Sequence, residues 1–173
     1  VSFVDEFSYP RYGIGRIAEK MAEEIKKEDG QVVLNSNVKK VELLDQKIVS
    51  VTVQDGQSER IIPVMEIVSS IPLSELISKI SPQVPKSILT VNSHLTYRDQ
   101  VQVSLFIKKN RITSDTWVYV HSLNLPYVRF MEMDNWSDKL SPKGTTTLVF
   151  EVTCNENDTV WNKSDQELVA MIT

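Results

Sequence analysis

Three prolines set the main constraint on this chain: Pro72, Pro82 and Pro85 separate two long stretches of strand-like pattern. Proline has no N–H to donate and clashes with the preceding turn of a helix, so Pro82 and Pro85 leave room only for short helical pieces. The sequence places these around Ser74–Ile80 and Val84–Asn92. On the N-terminal side, "VVL" and "VKKVELL" lead to a turn at Asp45-Gln46. "IVSVTV" follows, in which Val49, Val51 and Val53 alternate with Ser50 and Thr52. Period two is the signature of a half-buried strand, so the three valines are expected on one face. An Asp55-Gly56 turn and "RIIPV", with Pro63 marking an edge or a strand end, complete a β-meander. "MEIVSSIP" then reads as a short strand buried on both faces and stopped by Pro72. Beyond Gln100 strands resume in "VQVSLFIKK", "TWVYVHS", "YVRFMEM" and "TTTLVFEVTC". A last helix is expected from Ser164, whose S-x-x-E spacing to Glu167 forms a capping box. The class is α+β, with two sheets and a switch near Pro72.

Near the N-terminus, "YGIGRIA" carries Gly13, Gly15 and Ala18 in the order G-x-G-x-x-A. That order grips a pyrophosphate only when an apolar strand precedes it, a helix follows and an acid stands about 20 residues on. The helix is there: Ile14, Ile17, Ala18, Met21, Ala22 and Ile25 share a face, and Gly30 is placed to stop it. The strand and the acid are not. "VDEFSYPRY" holds two acids and a proline, and "QVVLNSN" ends on Asn and Ser. A two-glycine loop leading into an amphipathic helix is the better reading.

A net charge of −4, with basic residues scattered among acids, offers no stripe for nucleic acid. No run reaches the ~18 apolar residues of a transmembrane helix. The lone Cys154 excludes an internal disulfide and points to a reducing, cytoplasmic setting. His94 and His121 have no carboxylate at ligand spacing, so no metal site is expected. The chain opens without Met and stops inside an apparent helix, which reads as part of a longer protein.

The aromatic strands carry the strongest hint of a ligand. Strand alternation puts Trp117, Tyr119 and His121 on one face of "TWVYVH", and Tyr127, Arg129, Met131 and Met133 on one face of "YVRFMEM". Two readings stand on the residues alone: the wall of a cavity for a partly polar small molecule, or a solvated sheet face carrying amphipathic side chains.

In order along the chain, "FSYPRYGIGRI", "GQVVLNSNVKKV" and "IVSSIPLSEL" resemble the middle of FAD-dependent amine oxidases and protoporphyrinogen oxidases. "LTYRD", "TWVYVH", "MDNWSDKLSP" and "VWNKSDQEL" resemble, more narrowly, protoporphyrinogen-oxidase-like proteins close to UDP-galactopyranose mutase. The resemblance runs from Phe7 to about Val169 and implies a division of roles. Residues 1–72 would be part of an FAD-binding region. Residues 73–173 would be a substrate-binding region built on a larger mixed sheet. Val38 would hold adenine through its main chain, Ser70, Ile71 and Pro72 would face the cofactor, and Trp117, Tyr119 and Arg129 would line the substrate cavity. The family's phosphate loop and its later Gly-Asp segment have no counterpart here. The resemblance therefore implies the central part of an FAD-dependent oxidoreductase, inactive alone, with FAD held by the parent chain. A flavin-dependent sugar isomerase of the mutase type, or a non-catalytic binding domain of the same fold, are the alternatives.

Overall fold

The computed structural model describes residues 7–173. In chain order the elements are α1 (Gly15–Lys27), β1 (Ser36–Leu44), β2 (Lys47–Asp55), β3 (Ser58–Pro63), α2 (Leu73–Lys79), β4 (Ile80–Ser81), α3 (Lys86–Asn92), β5 (Asp99–Ile107), β6 (Trp117–Tyr119), β7 (Arg129–Glu132), β8 (Thr146–Cys154) and α4 (Asp165–Ile172). They form two units, one of residues 31–96 and one of residues 97–173 together with the N-terminal segment up to Gly30. Each holds a four-stranded sheet, and the class is α+β.

In the 31–96 unit the sheet runs β3-β2-β1-β4. Asp45 and Gln46 both take positive φ, 49° and 63°, the pairing that matches hairpin twist in a two-residue loop, and they join Leu44 to Lys47. Gly56, at φ 60°, turns the next hairpin, and Pro63 ends the edge strand β3, where its missing N–H breaks no ladder. Val38 and Val41 are three apart and would fall on opposite faces of a regular strand. A bulge at Lys39 corrects this: Val38 lies opposite Val53 and Val41 opposite Val51. A second irregularity leaves Val49 without a partner on β1, since Ile48 faces Leu43 and Ser50 faces Glu42. The expected valine face is therefore graded. Val53 is buried, Val51 half-buried, and Val49 lies 38% exposed because the bulge takes it off the ladder.

Two short runs depart from the sequence reading. "VVL" is not a strand: Asn35 adopts φ 56° and the Ser36 hydroxyl donates to the Leu34 carbonyl, so β1 starts only at Ser36. "MEIVSSIP" is not a buried strand either. A strand buried on both faces needs neighbours on both edges, and among the described residues none pairs with it. Met65 and Val68 consequently stand open to solvent. The two helical pieces fall where the prolines direct, with Pro72 and Pro85 each preceding a first turn.

The other sheet runs β5-β8-β7-β6 and is antiparallel throughout, with β5 and β8 paired over nine successive positions. One face carries Val103, Leu148, Phe150 and Val152. They pack with Ile172 of α4 and with Leu168, Phe130 and Tyr127. The capping box forms as read: the Ser164 side chain receives the Glu167 N–H and the Glu167 carboxylate receives the Ser164 N–H. Two of the helix's four orphan donor positions are settled this way, and α4 is fixed over the core.

A buried carboxylate organises the loop after β5. Glu132 is 0% exposed and accepts from the Ile112 and Thr113 N–H groups at 2.8 and 2.6 Å and from the Thr146 hydroxyl at 2.7 Å. "MDNWSDKLSP" continues the clamp. Asn135 donates to the Thr113 and Asp115 carbonyls, Trp136 to the Thr116 carbonyl, and Ser137 to the Arg11 carbonyl. This segment thus anchors its own unit's loops.

The N-terminal stretch is a turn into a helix, with Gly13 at φ 95° and its N–H donating to the Pro10 carbonyl. At the far end Asp29 takes φ 57°, and the Gly30 N–H closes on the Ile25 carbonyl at 2.8 Å. A Cβ on Gly30 would meet Ile25 at 2.6 Å, so glycine is required there by space. The apolar stripe of α1 forms as expected, but Ile14, Ile17, Met21 and Ile25 are exposed.

Candidate functional site

The residues singled out by sequence fall into two places, one in each unit. In the 31–96 unit, Val38, Ser70 and Ile71 come together around a cavity of about 390 Å³. Val41, Val51 and Leu76 supply further apolar wall, while Ser36, Asn37 and Ser69 supply polar rim. Pro72 stands just outside the lining, as the residue before α2. The parallel partner β4 meets β1 only at Val41 and Glu42, so among the described residues the same edge of β1 has no strand partner from Ser36 to Lys40. Backbone N–H and C=O groups along an unpaired edge bind whatever polar edge is brought to them. Among the described residues the one cation lining the cavity is Lys79, 3.1 Å from the Glu75 carboxylate one helical turn away. Asn37, Val51 and Leu76 were not picked out from sequence. Val51 becomes visible only once the bulge at Lys39 places Val41 opposite it.

In the 97–173 unit, Trp117, Tyr119 and Arg129 share the sheet face opposite the core, since Tyr119 lies across from Arg129 and Trp117 across from Met131. Their surroundings differ. Trp117 packs in an aromatic cluster with Phe7 and Trp136, at ring separations of 5.9 and 5.5 Å. Tyr119 is exposed, and the Arg129 guanidinium lies 5.7 Å from its ring centre, within cation–π range. Arg129 also donates twice to Glu151, from Nε and Nη2, each at 2.7 Å. Glu151 raises the Arg129 pKa above its ordinary value, and partial burial opposes it. Sequence reading missed Glu151. Its signal was a single carboxylate inside the apolar run "LVFEV", which can be buried only beside a cation or strong donors.

His94 places Nδ1 2.7 Å from the Thr90 carbonyl at the end of α3. Among the described residues no group of three or more His, Cys, Asp or Glu side chains is arranged to hold a metal ion. No helix among them is long and apolar enough to cross a membrane.

The family model of flavin containing amine oxidoreductase matches residues 3–170. The chain belongs to that family. A reduced UDP-galactopyranose mutase is similar in fold, with a TM-score of 0.74 at 16% identity over 94% of this chain and 35% of its own. PF1083 from Pyrococcus furiosus has a TM-score of 0.72 at 13% identity, over 93% of this chain and 38% of its own. An engineered double mutant of putrescine oxidase has a TM-score of 0.61 at 18% identity, over 92% and 33%. At these identities the likeness establishes the fold. The chain spans about a third of the length of these structures. Comparison with curated proteins found no match.

Proposed function

We propose that this chain is the central, mainly substrate-binding part of an FAD-dependent oxidoreductase, acting in the cytoplasm on a small molecule together with the rest of its parent chain. The roles divide at Pro72: residues 1–72 contribute to the FAD side and residues 73–173 to the substrate side. This is a boundary of role and need not follow the compact units. The observation that carries the reading is the assembly of Val38, Ser70 and Ile71 on one cavity beside the unpaired edge of β1.

The cavity fits one half of the cofactor. Apolar walls from Val38, Val51 and Ile71, with a polar rim and open backbone groups, suit a flat heteroaromatic base that is recognised along its edge. They do not suit two phosphates. The Lys79 charge is taken by Glu75, and the first turn of α2 carries that acid where an anion would otherwise gain from the helix dipole. We therefore assign the adenine to Val38 and its neighbours and the pyrophosphate to other parts of the parent protein. Bound FAD would supply the electron-accepting ring. This chain's part is to orient the substrate with Tyr119 and Arg129 and to shape the cavity wall, with Trp117 fixing the strand that carries Tyr119.

A mutase-type isomerase is the second reading, supported by the fold similarity to UDP-galactopyranose mutase. Product analysis of the parent protein separates the two. Reduction of the bound flavin by an added substrate in the absence of oxygen supports the oxidoreductase. A change in sugar ring size with no net flavin reduction supports the isomerase. Val38→Arg, which fills the cavity, should lower the FAD content of the parent protein by more than half. An unchanged content would remove Val38 from the site.

A further inference from the structure

The sheet of the 97–173 unit carries one polar row that crosses all four strands. Gln102 of β5 lies opposite Glu151 of β8, Glu151 opposite Arg129 of β7, and Arg129 opposite Tyr119 of β6. The side chains meet along that row. Gln102 Nε2 lies 3.5 Å from Glu151 Oε1, two 2.7 Å bonds join Arg129 to Glu151, and the guanidinium lies over the Tyr119 ring.

We infer that Glu151 is a specificity-determining positioning residue: by holding Arg129 in a fixed ion pair, it makes the ligand wall beside Tyr119 a site for an uncharged, partly polar molecule and closes it to phosphate-bearing ones. The inference rests on the reading of this face as the ligand wall, and it names the substrate class.

The bidentate geometry uses Nε and one Nη2 hydrogen of Arg129, the fork that a phosphate would otherwise take. Capturing a phosphate there would mean breaking two charge-assisted bonds and leaving a carboxylate of only 7% side-chain exposure unpaired beside a second anion. The remaining guanidinium N–H groups suit a carbonyl or hydroxyl oxygen, which brings no net charge. Among the described residues no further cation is paired with the row. Arg98 stands just before β5 and donates to Asn155, whereas Arg111 follows the other end of that strand. Nine strand residues span roughly 27 Å, so the two arginines cannot share one phosphate with Arg129.

The test is titration of the 173-residue chain with inorganic pyrophosphate at low ionic strength. It is read by calorimetry and by the Arg129 Nε–H resonance. The wild type and Arg129→Gln should bind equally weakly, and the wild-type Nε–H signal should not move. Glu151→Gln frees the guanidinium and should bind pyrophosphate about tenfold more tightly. That gain should vanish in Glu151→Gln combined with Arg129→Gln. Arg129-dependent saturable binding by the wild type, or no gain in a folded Glu151→Gln, overturns the inference. Should Glu151→Gln fail to fold, the wild-type resonance decides: a signal displaced by pyrophosphate overturns the inference and an unmoved one supports it. None of these readouts involves flavin, so a failure here is distinct from a failure of the FAD assignment.

Discussion

The two sheets of this protein are built to different standards. In the 97–173 unit, β8 is buried at eight of its nine positions and pairs with β5 without a break. In the 31–96 unit, β1 and β2 meet with two irregularities, and the buried apolar residues are Val41 and Val53. A regular ladder under a capped helix gives a core that carries its unit. A bulged meander trades regularity for a shaped edge, and that edge borders the cavity at Val38. The regular sheet thus supplies its unit's core, while the irregular one leaves a cavity at its edge.

The comparison can be broken most directly in the cores. Phe150→Ala should destabilise the 97–173 unit by about 3–5 kcal/mol, the usual cost of emptying a buried aromatic site. Hydrogen exchange followed separately for each unit would measure this, and β8 amides should be the slowest in the chain. Glu132→Ala orphans two part-buried N–H groups and a buried hydroxyl, and should cost about 3 kcal/mol in the same unit. Loss of protection should centre on residues 108–116. Val53→Ala should cost about 2 kcal/mol, read as faster exchange in β1 and β2. A cost at Val53 equal to that at Phe150 would mean that the two units are not unequal after all.

The smallest expected effect is at the α4 cap. Ser164→Ala should cost about 1 kcal/mol, seen as fraying of the first turn. Its bonds to Ser164 lower the Glu167 pKa below the ordinary carboxylate value, chiefly through the Ser164 side chain and then its backbone N–H. A depressed carboxylate adds stability above its unfolded pKa and loses it as pH falls through the folded one. Protection of α4 amides should therefore fall as pH drops below about 4. In Ser164→Ala that pH dependence should flatten.

Much of this was legible in the sequence because it was local. The Asp45-Gln46 and Asp55-Gly56 turns, the proline-bounded helices and the Ser164–Glu167 box are each decided within a few residues. What escaped depended on register. No spacing in "VKKVELL" announces the bulge at Lys39, which hid the wall residue Val51, or the second irregularity between Glu42 and Leu43, which hid the exposed Val49. "MEIVSSIP" has the composition of a buried strand, but burial needs partners, and those are a property of the whole sheet. The same limit concealed Glu151. Arg129 was visible as a polar residue on an aromatic face, yet its neutralising partner lies 22 residues away, across one strand spacing.

The central claim is that this chain holds the base-binding cavity and the substrate wall of a flavoenzyme without the grip on the cofactor's phosphates. The most direct measurement is a flavin titration of the purified 173-residue chain. The account predicts a colourless protein that gives no saturable change in FAD fluorescence. A yellow protein carrying one FAD per chain would contradict it, and would make "YGIGRIA" the phosphate loop that the lack of an apolar strand before it and of an acid after it argues against.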